Sequence, residues 1–171
     1  MPTITNTKTV PAGTWSADPV HSHVSFEVAY AGTNTFRGGF NEYTASLQDG
    51  VIEGSAKVAS VDVKDEQLNG HLLTPDFFDA ERFPEIAFRT SDLERGELTI
   101  KGVTRPVAVS ASVSEPNVDP FGRERVGITL EATVDRNEFG VAWNAPNQSG
   151  GNYLGDEVTL KADLTFVRQE N

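Results

Sequence analysis

The sequence predicts an all-β protein, an antiparallel barrel of about eight strands interrupted once by a short helical stretch. Apolar and polar residues alternate with period two in one segment after another, and Gly, Pro and Asp turn signals separate the segments. That alternation lapses only between Asp65 and Phe83, which marks the insert.

Residues 1–13 are Thr-rich and polar and end in Pro11-Ala12-Gly13, which reads as a flexible tail ahead of a single domain over residues 14–171. Val24, Phe26, Val28 and Tyr30 then alternate with Ser25, Glu27 and Ala29, so one side of this segment faces a core. Tyr43, Ala45 and Leu47 form the next set and Ile52, Gly54, Ala56 and Val58 another, with Gln48-Asp49-Gly50 as a hairpin turn between them. Ile86 and Phe88, Leu98 and Ile100, and the row Val107, Val109, Ala111 and Val113 continue the pattern. Ile128, Leu130, Ala132 and Val134 follow, and Val158, Leu160, Ala162, Leu164 and Phe166 end it.

Strands with one polar face belong to an antiparallel sheet, and closure into a barrel removes the exposed edges that so many long strands would present. In the insert, Leu68, Leu72, Leu73, Phe77 and Phe78 fall at helical spacing, and Thr74-Pro75-Asp76 reads as N-cap, Pro at N1 and an acidic N2. Two short helical pieces are expected here, placed to cover an open end of the barrel.

A chain of 171 residues favours one domain with a real core. Twenty-five acidic residues against 14 basic ones give a net charge of −11, a field that repels phosphodiester backbones and argues against a nucleic-acid partner. With no cysteine, disulfides, thiol nucleophiles and thiolate metal sites are excluded together. The first residues lack a basic stretch followed by an apolar one, and no apolar run approaches a membrane span. A soluble, cytoplasmic protein without stable membrane insertion is therefore expected. Asn147-Gln148-Ser149 would be a glycosylation acceptor only in a secreted protein.

About eight tilted strands enclose room for one ligand, and small residues at Gly54, Ala56, Ala111, Ala132 and Ala162 leave space inside that bulky ones would fill. The alternative is a tapered barrel packed solid. His21 and His23, two apart on one strand, and His71 on the insert could form a three-histidine zinc site only by converging. Separate packed and exposed histidines are the expectation, with no metal and no cofactor. Asp76 and Asp79 suit a helix start. Ser22, Ser25 and Ser149 lack the Gly-x-Ser-x-Gly turn of a hydrolase nucleophile, and Gly96 to Gly102 lacks the Gly-Lys-Ser/Thr ending of a nucleotide loop.

Six segments then carry a resemblance. They are Trp15 with Asp18 and His21-Ser22-x-Val24-x-Phe26; Phe36-Arg37-Gly38-Gly39-Phe40; and His71-Leu72-Leu73-Thr74-Pro75-Asp76-Phe77-Phe78-Asp79 continuing to Phe83-Pro84-Glu85-Ile86-Ala87-Phe88. The others are Leu98 to Val107 with its Gly-Val-Thr-Arg-Pro-Val turn, Arg136-Asn137-Glu138-Phe139-Gly140, and Gly155-Asp156-Glu157-Val158. From Trp15 to Phe166 the chain resembles the YceI-like family. The resemblance implies an extended eight-stranded lipocalin-like barrel enclosing an apolar tunnel for an isoprenoid chain, polyprenyl or quinone-type.

Read with the inward-facing pattern, it makes Phe26, Val28, Tyr30, Phe36, Phe40, Phe77, Phe78, Phe88, Leu130, Phe139 and Trp143 the ligand-binding candidates. Many members carry Arg-Asp shortly before the helical histidine, where this chain has Asn69-Gly70. Gly38, Gly102, Pro84 and Pro106 are expected to set turns. The implied function is a non-catalytic lipid carrier or store. The alternatives are an enzyme acting on such a lipid, with His21 or His71 as general base and Asp18 or Asp76 as its orienter, and a stress-related partner-binding module. An apolar entrance patch leaves homodimer formation open.

Overall fold

In the computed structural model, residues 10–146 and 152–169 are described. Residues 1–9 of the expected tail and the Asn147-Gln148-Ser149 acceptor lie outside them. The end of the tail is held. Trp15 Nε1 donates to the Ala12 carbonyl at 3.0 Å, and the first strand begins at Thr14.

Thirteen strand segments are formed among the described residues: β1 (Thr14–Ala17), β2 (His23–Tyr30), β3 (Asn34–Phe40), β4 (Tyr43–Gln48), β5 (Val51–Lys57), β6 (Val61–Asp62), β7 (Glu85–Asp92), β8 (Arg95–Ile100), β9 (Val103–Ala108), β10 (Ser110–Val113), β11 (Asn117–Val118), β12 (Glu124–Asp135) and β13 (Leu154–Arg168). Four pairs of segments are long strands broken by local bends. The 3₁₀ turn Pro19–His21 divides β1 from β2, and the turn Val58–Ser60 divides β5 from β6. Asn41-Glu42 divides β3 from β4, and Val109 divides β9 from β10.

Rejoined across these bends, and leaving aside the two-residue β11, they make the eight strands expected from the alternation. Each is antiparallel to its neighbour: β1 and β2 beside β4 and β3, these beside β5 and β6, then β5–β7, β7–β8 and β8–β9. On the far side β10 pairs with β12, β12 with β13, and β13 with both β2 and β1. Strand β9 makes no ladder with β12, so the barrel is not fully closed: the wall is open along that seam and joined below it through β10. The Asp49-Gly50 hairpin, with φ of +51° and +84°, is the two-residue mirror-image turn whose twist matches its flanking strands.

The insert differs from expectation. One helix forms, α1 (Glu66–Leu72), capped by the Asp65 carboxylate accepting from the Leu68 N–H at 3.0 Å. The second helical piece does not form. The Thr74 hydroxyl turns back to the His71 carbonyl at 2.6 Å, and Asp79 takes a φ of +51°. The Phe78 and Ala80 amides donate to the carbonyls of Leu72 and Leu73. Residues 73–83 thereby fold back over α1.

The inward residues divide into two packed groups. One, at the end away from α1, is built on Trp15, Leu47, Ile52, Ile128, Leu164 and Phe166. The other, beneath the insert, is built on Phe26, Phe40, Leu72, Phe77, Leu98 and Phe139. Val24, Tyr43, Phe88 and Val109 touch both. Gly38 sits within β3 rather than in a turn: it faces Phe26 across the ladder, and a Cβ there would come within 2.6 Å of Val63 Cγ1 and clash with the Phe26 ring.

Candidate functional site

Between the two groups lies an apolar cavity of about 120 Å³. Val24, Phe40, Ile52, Phe88, Leu130 and Leu164 line it, with Gly54, Ala56, Ala132 and Ala162 supplying the space. The sequence left open whether the barrel is filled or hollow. It is packed at both ends with a cavity between. Cavities near this size hold a molecule such as benzene, so one isoprene unit fits and a longer chain needs the aromatic group above to give way.

That aromatic group is packed continuously from the cavity to the insert. Phe26 meets Phe36 and Phe40 at centroid distances of 6.4 and 5.8 Å, and Phe40 meets the edge of Phe78 at 6.0 Å. Beneath the insert, the His71 ring stands edge-on to Phe77 and to Trp143, each at 5.0 Å, and Phe77 and Trp143 are 5.3 Å apart. His71 Nε2 lies 3.0 Å from Asp76 Oδ2, which holds the ring in place.

Of the eleven candidates, Phe40, Phe88 and Leu130 line the cavity, and Phe26, Phe36, Phe77, Phe78, Phe139 and Trp143 pack in the group above it. Val28 is buried at the register position between Phe36 and Val158. Tyr30 stands at the edge of the interior rather than inside it. The residue is 45% exposed, and its ring lies between Tyr153 at 6.0 Å and Phe36 at 6.5 Å, at the place where the β2–β13 ladder shifts register between Leu154 and Val158.

His21 and His23 do not share a strand face as expected, since the turn Pro19–His21 ends at the first and β2 begins at the second. The buried Ser22 lies between them and accepts the Thr165 N–H at 3.0 Å. Asp18 Oδ2 lies 2.7 Å from His21 Nδ1 and accepts from Arg125 at 2.8 Å, while Arg125 Nε donates to Asp119 at 2.7 Å. The Arg125 guanidinium is the main reason that both carboxyls are held well below the usual carboxylate range. His21 adds to the effect at Asp18, and the backbone N–H of Arg123 adds to it at Asp119. This network ties the Pro19–His21 turn to the loop between β11 and β12, and none of its members lines the cavity. Of the two histidines considered as bases, His71 packs against the aromatic group, and His21 belongs to the Asp18 network. Among the described residues, no three His, Cys, Asp or Glu side chains come together to hold a metal ion.

Arg136, singled out only as part of a family segment, emerges as a further site residue. Its side chain is 6% exposed; Nε donates to the Gly155 carbonyl at 2.9 Å, and NH1 to the carbonyls of Val141 and Trp143 at 2.7 and 2.9 Å. NH2 is buried with no partner. Burial pushes this guanidinium below its usual pKa, partly offset by the charges of Asp156 and Asp135. The signal was present in the sequence: Arg136 is the next position in the inward row Val126, Ile128, Leu130, Ala132, Val134.

The fold is thus an antiparallel barrel with an apolar cavity beneath an aromatic group. The YceI-like domain profile matches residues 15–166, and the chain belongs to that family. A UPF0312 protein of Staphylococcus aureus (strain USA300) is 26% identical over 165 residues, spanning 90% of this chain and 96% of the relative. Among solved structures, BcnA of Burkholderia cenocepacia superposes with a TM-score of 0.74 at 22% identity over 87% of this chain and 98% of BcnA. A polyisoprenoid binding domain from Saccharophagus degradans, implicated in plant cell wall breakdown, gives 0.74 at 11% identity over 91% and 98%. Among the described residues, no helix is long and apolar enough to cross a membrane.

Proposed function

We propose that this protein binds the hydrocarbon chain of an isoprenoid lipid, polyprenyl or quinone-type, in its interior and holds it as a carrier or store without converting it. The observation that carries this reading is the apolar cavity between the packed groups, reached past Phe40, Phe78, Phe77 and Trp143. Each methylene moved into such a space contributes about 0.8 kcal/mol, so an isoprenoid of many carbons needs few polar contacts. Likeness to a polyisoprenoid binding domain supports the same ligand class. Phe40, Phe88 and Leu130 meet the inner end of the chain, and Phe26, Phe36, Phe77, Phe78, Phe139 and Trp143 move aside to accommodate the rest.

Mass spectrometry of lipids extracted from natively purified protein tests this directly. A stoichiometric isoprenoid is expected, and extraction of only mixed phospholipids would overturn the reading. The His71–Asp76 pair beside the aromatic group favours a second reading, an enzyme acting on the lipid. Incubation with a prenyl alcohol or prenyl diphosphate, followed by chromatography, separates the two, since a carrier returns the lipid unchanged.

A further inference from the structure

Around the insert and the stretch 138–143, backbone carbonyls hold three cations. Arg136 donates to the carbonyls of residues 141, 143 and 155. Lys101 Nζ donates to the carbonyls of Pro75 and Gly140 at 2.7 and 3.1 Å, and Arg105 Nε to that of Glu138 at 2.8 Å. Among the described residues, none of the three lies within 4.0 Å of a carboxylate, although the chain carries a net charge of −11. Each of the three donates to at least one carbonyl of the stretch 138–143, so three cations are held beside Trp143 and the aromatic group, where the charges of Asp156 and Asp135 also act on Arg136.

Arg136 is the member with an unused donor. It opens the 3₁₀ turn Arg136–Phe139 that follows β12, two residues past the buried Val134, and Phe139, Val141 and Trp143 belong to the group above the cavity. A buried guanidinium with an open NH2 and no contacting counter-ion is costly in a protein on its own and suits an acceptor that arrives with the ligand. A planar guanidinium also matches the geometry of phosphate oxygens.

We propose that Arg136 is the head-group anchor of the lipid site, its NH2 donating to a phosphate oxygen of an isoprenoid phosphate while Lys101 and Arg105 supply additional positive charge nearby. The inference rests on the reading that the interior holds an isoprenoid chain, and extends it to the class of head group.

Binding of farnesyl diphosphate, farnesol and inorganic diphosphate to the full chain, followed by tryptophan fluorescence and calorimetry, tests it. The wild type is expected to bind farnesyl diphosphate at least tenfold more tightly than farnesol, and inorganic diphosphate far more weakly than either. Arg136→Gln should bring the two farnesyl ligands to within about threefold of each other, and Arg136→Lys should retain part of the preference. Should Arg136→Gln fail to fold, Arg105→Gln, an exposed change, should lower the preference several-fold, and an unchanged preference there overturns the proposal.

An Arg136 that serves only to clamp the 141–143 loop would weaken both farnesyl ligands alike, and an unchanged preference ratio overturns the proposal. Equal binding of inorganic and farnesyl diphosphate also overturns it, by showing a free-anion site. Binding of neither farnesyl ligand overturns the isoprenoid reading itself, a result distinct from farnesyl binding without head-group preference.

Discussion

Filling the cavity separates a ligand site from an ordinary packing defect, and Ala162→Leu does this from the middle of the wall. Ala162 lines the cavity on β13, paired with Val24 on one side and Leu130 on the other. The substitution adds three carbons, worth about 2.4 kcal/mol at about 0.8 kcal/mol each. The cavity of about 120 Å³ sets a ceiling, since at about 24 cal/mol per Å³ its complete filling would contribute about 3 kcal/mol. Imperfect fit offsets at least about 1 kcal/mol of that gain. The lipid-free variant should therefore be more stable by about 1 kcal/mol, a rise in Tm of about 2–4 °C for a domain of this size. A bound chain would meanwhile lose the space for its terminal isoprene unit, five carbons worth about 4 kcal/mol, or nearly a thousandfold in affinity. Thermal melts of delipidated protein beside a fluorescent geranylgeranyl binding assay give both quantities. A variant that melts higher and binds as tightly as the wild type would refute the placement of the ligand. One that melts lower and binds as tightly would refute the cavity as well.

Three further outcomes follow from particular contacts. Asp18 and Asp119 have carboxyl pKa values below those of the unfolded chain, so their pairing with Arg125 stabilises the fold above about pH 4 and is lost as the pH falls from there; Arg125→Met should melt lower at pH 7 and show a flatter decline between pH 4 and 2, and parallel profiles would count against this. Gly38→Ala drives a methyl against Phe26 and Val63 and should cost about 1–3 kcal/mol in urea unfolding, where a neutral result would mean that β3 moves freely away from its partner. Phe77→Ala, at a buried ring, should cost about 3–5 kcal/mol in lipid-free protein and Phe78→Ala, half-buried against Phe40, about 2 kcal/mol; Phe78→Ala should be the one that alters lipid binding in the folded fraction, and equal costs would remove the division of labour between them.

The alternation of residues was enough to read the all-β class and the eight long strands, because inward positions such as Val24, Leu130, Leu160 and Leu164 are set by a period that survives every turn. It was blind to the bends that break those strands, since turns such as Pro19–His21 keep the strand on its path and cost only a residue or two of register. Tyr30 shows the same blindness: its parity is inward, yet opposite an irregularity between Leu154 and Val158 the residue is half exposed, between Tyr153 and Phe36. The second helix failed for a different reason, as the Thr74 hydroxyl closes α1 instead of opening a new helix, a choice that depends on how 73–83 pack over the barrel. Arg136 shows the opposite case. Its inward parity was legible, yet a charge in that row reads as the end of a strand until three carbonyls from two distant segments are seen to hold it. Those carbonyls occupy Nε and NH1 and leave NH2 unpaired, so the residue least explained by the fold stands beside the aromatic group above the cavity.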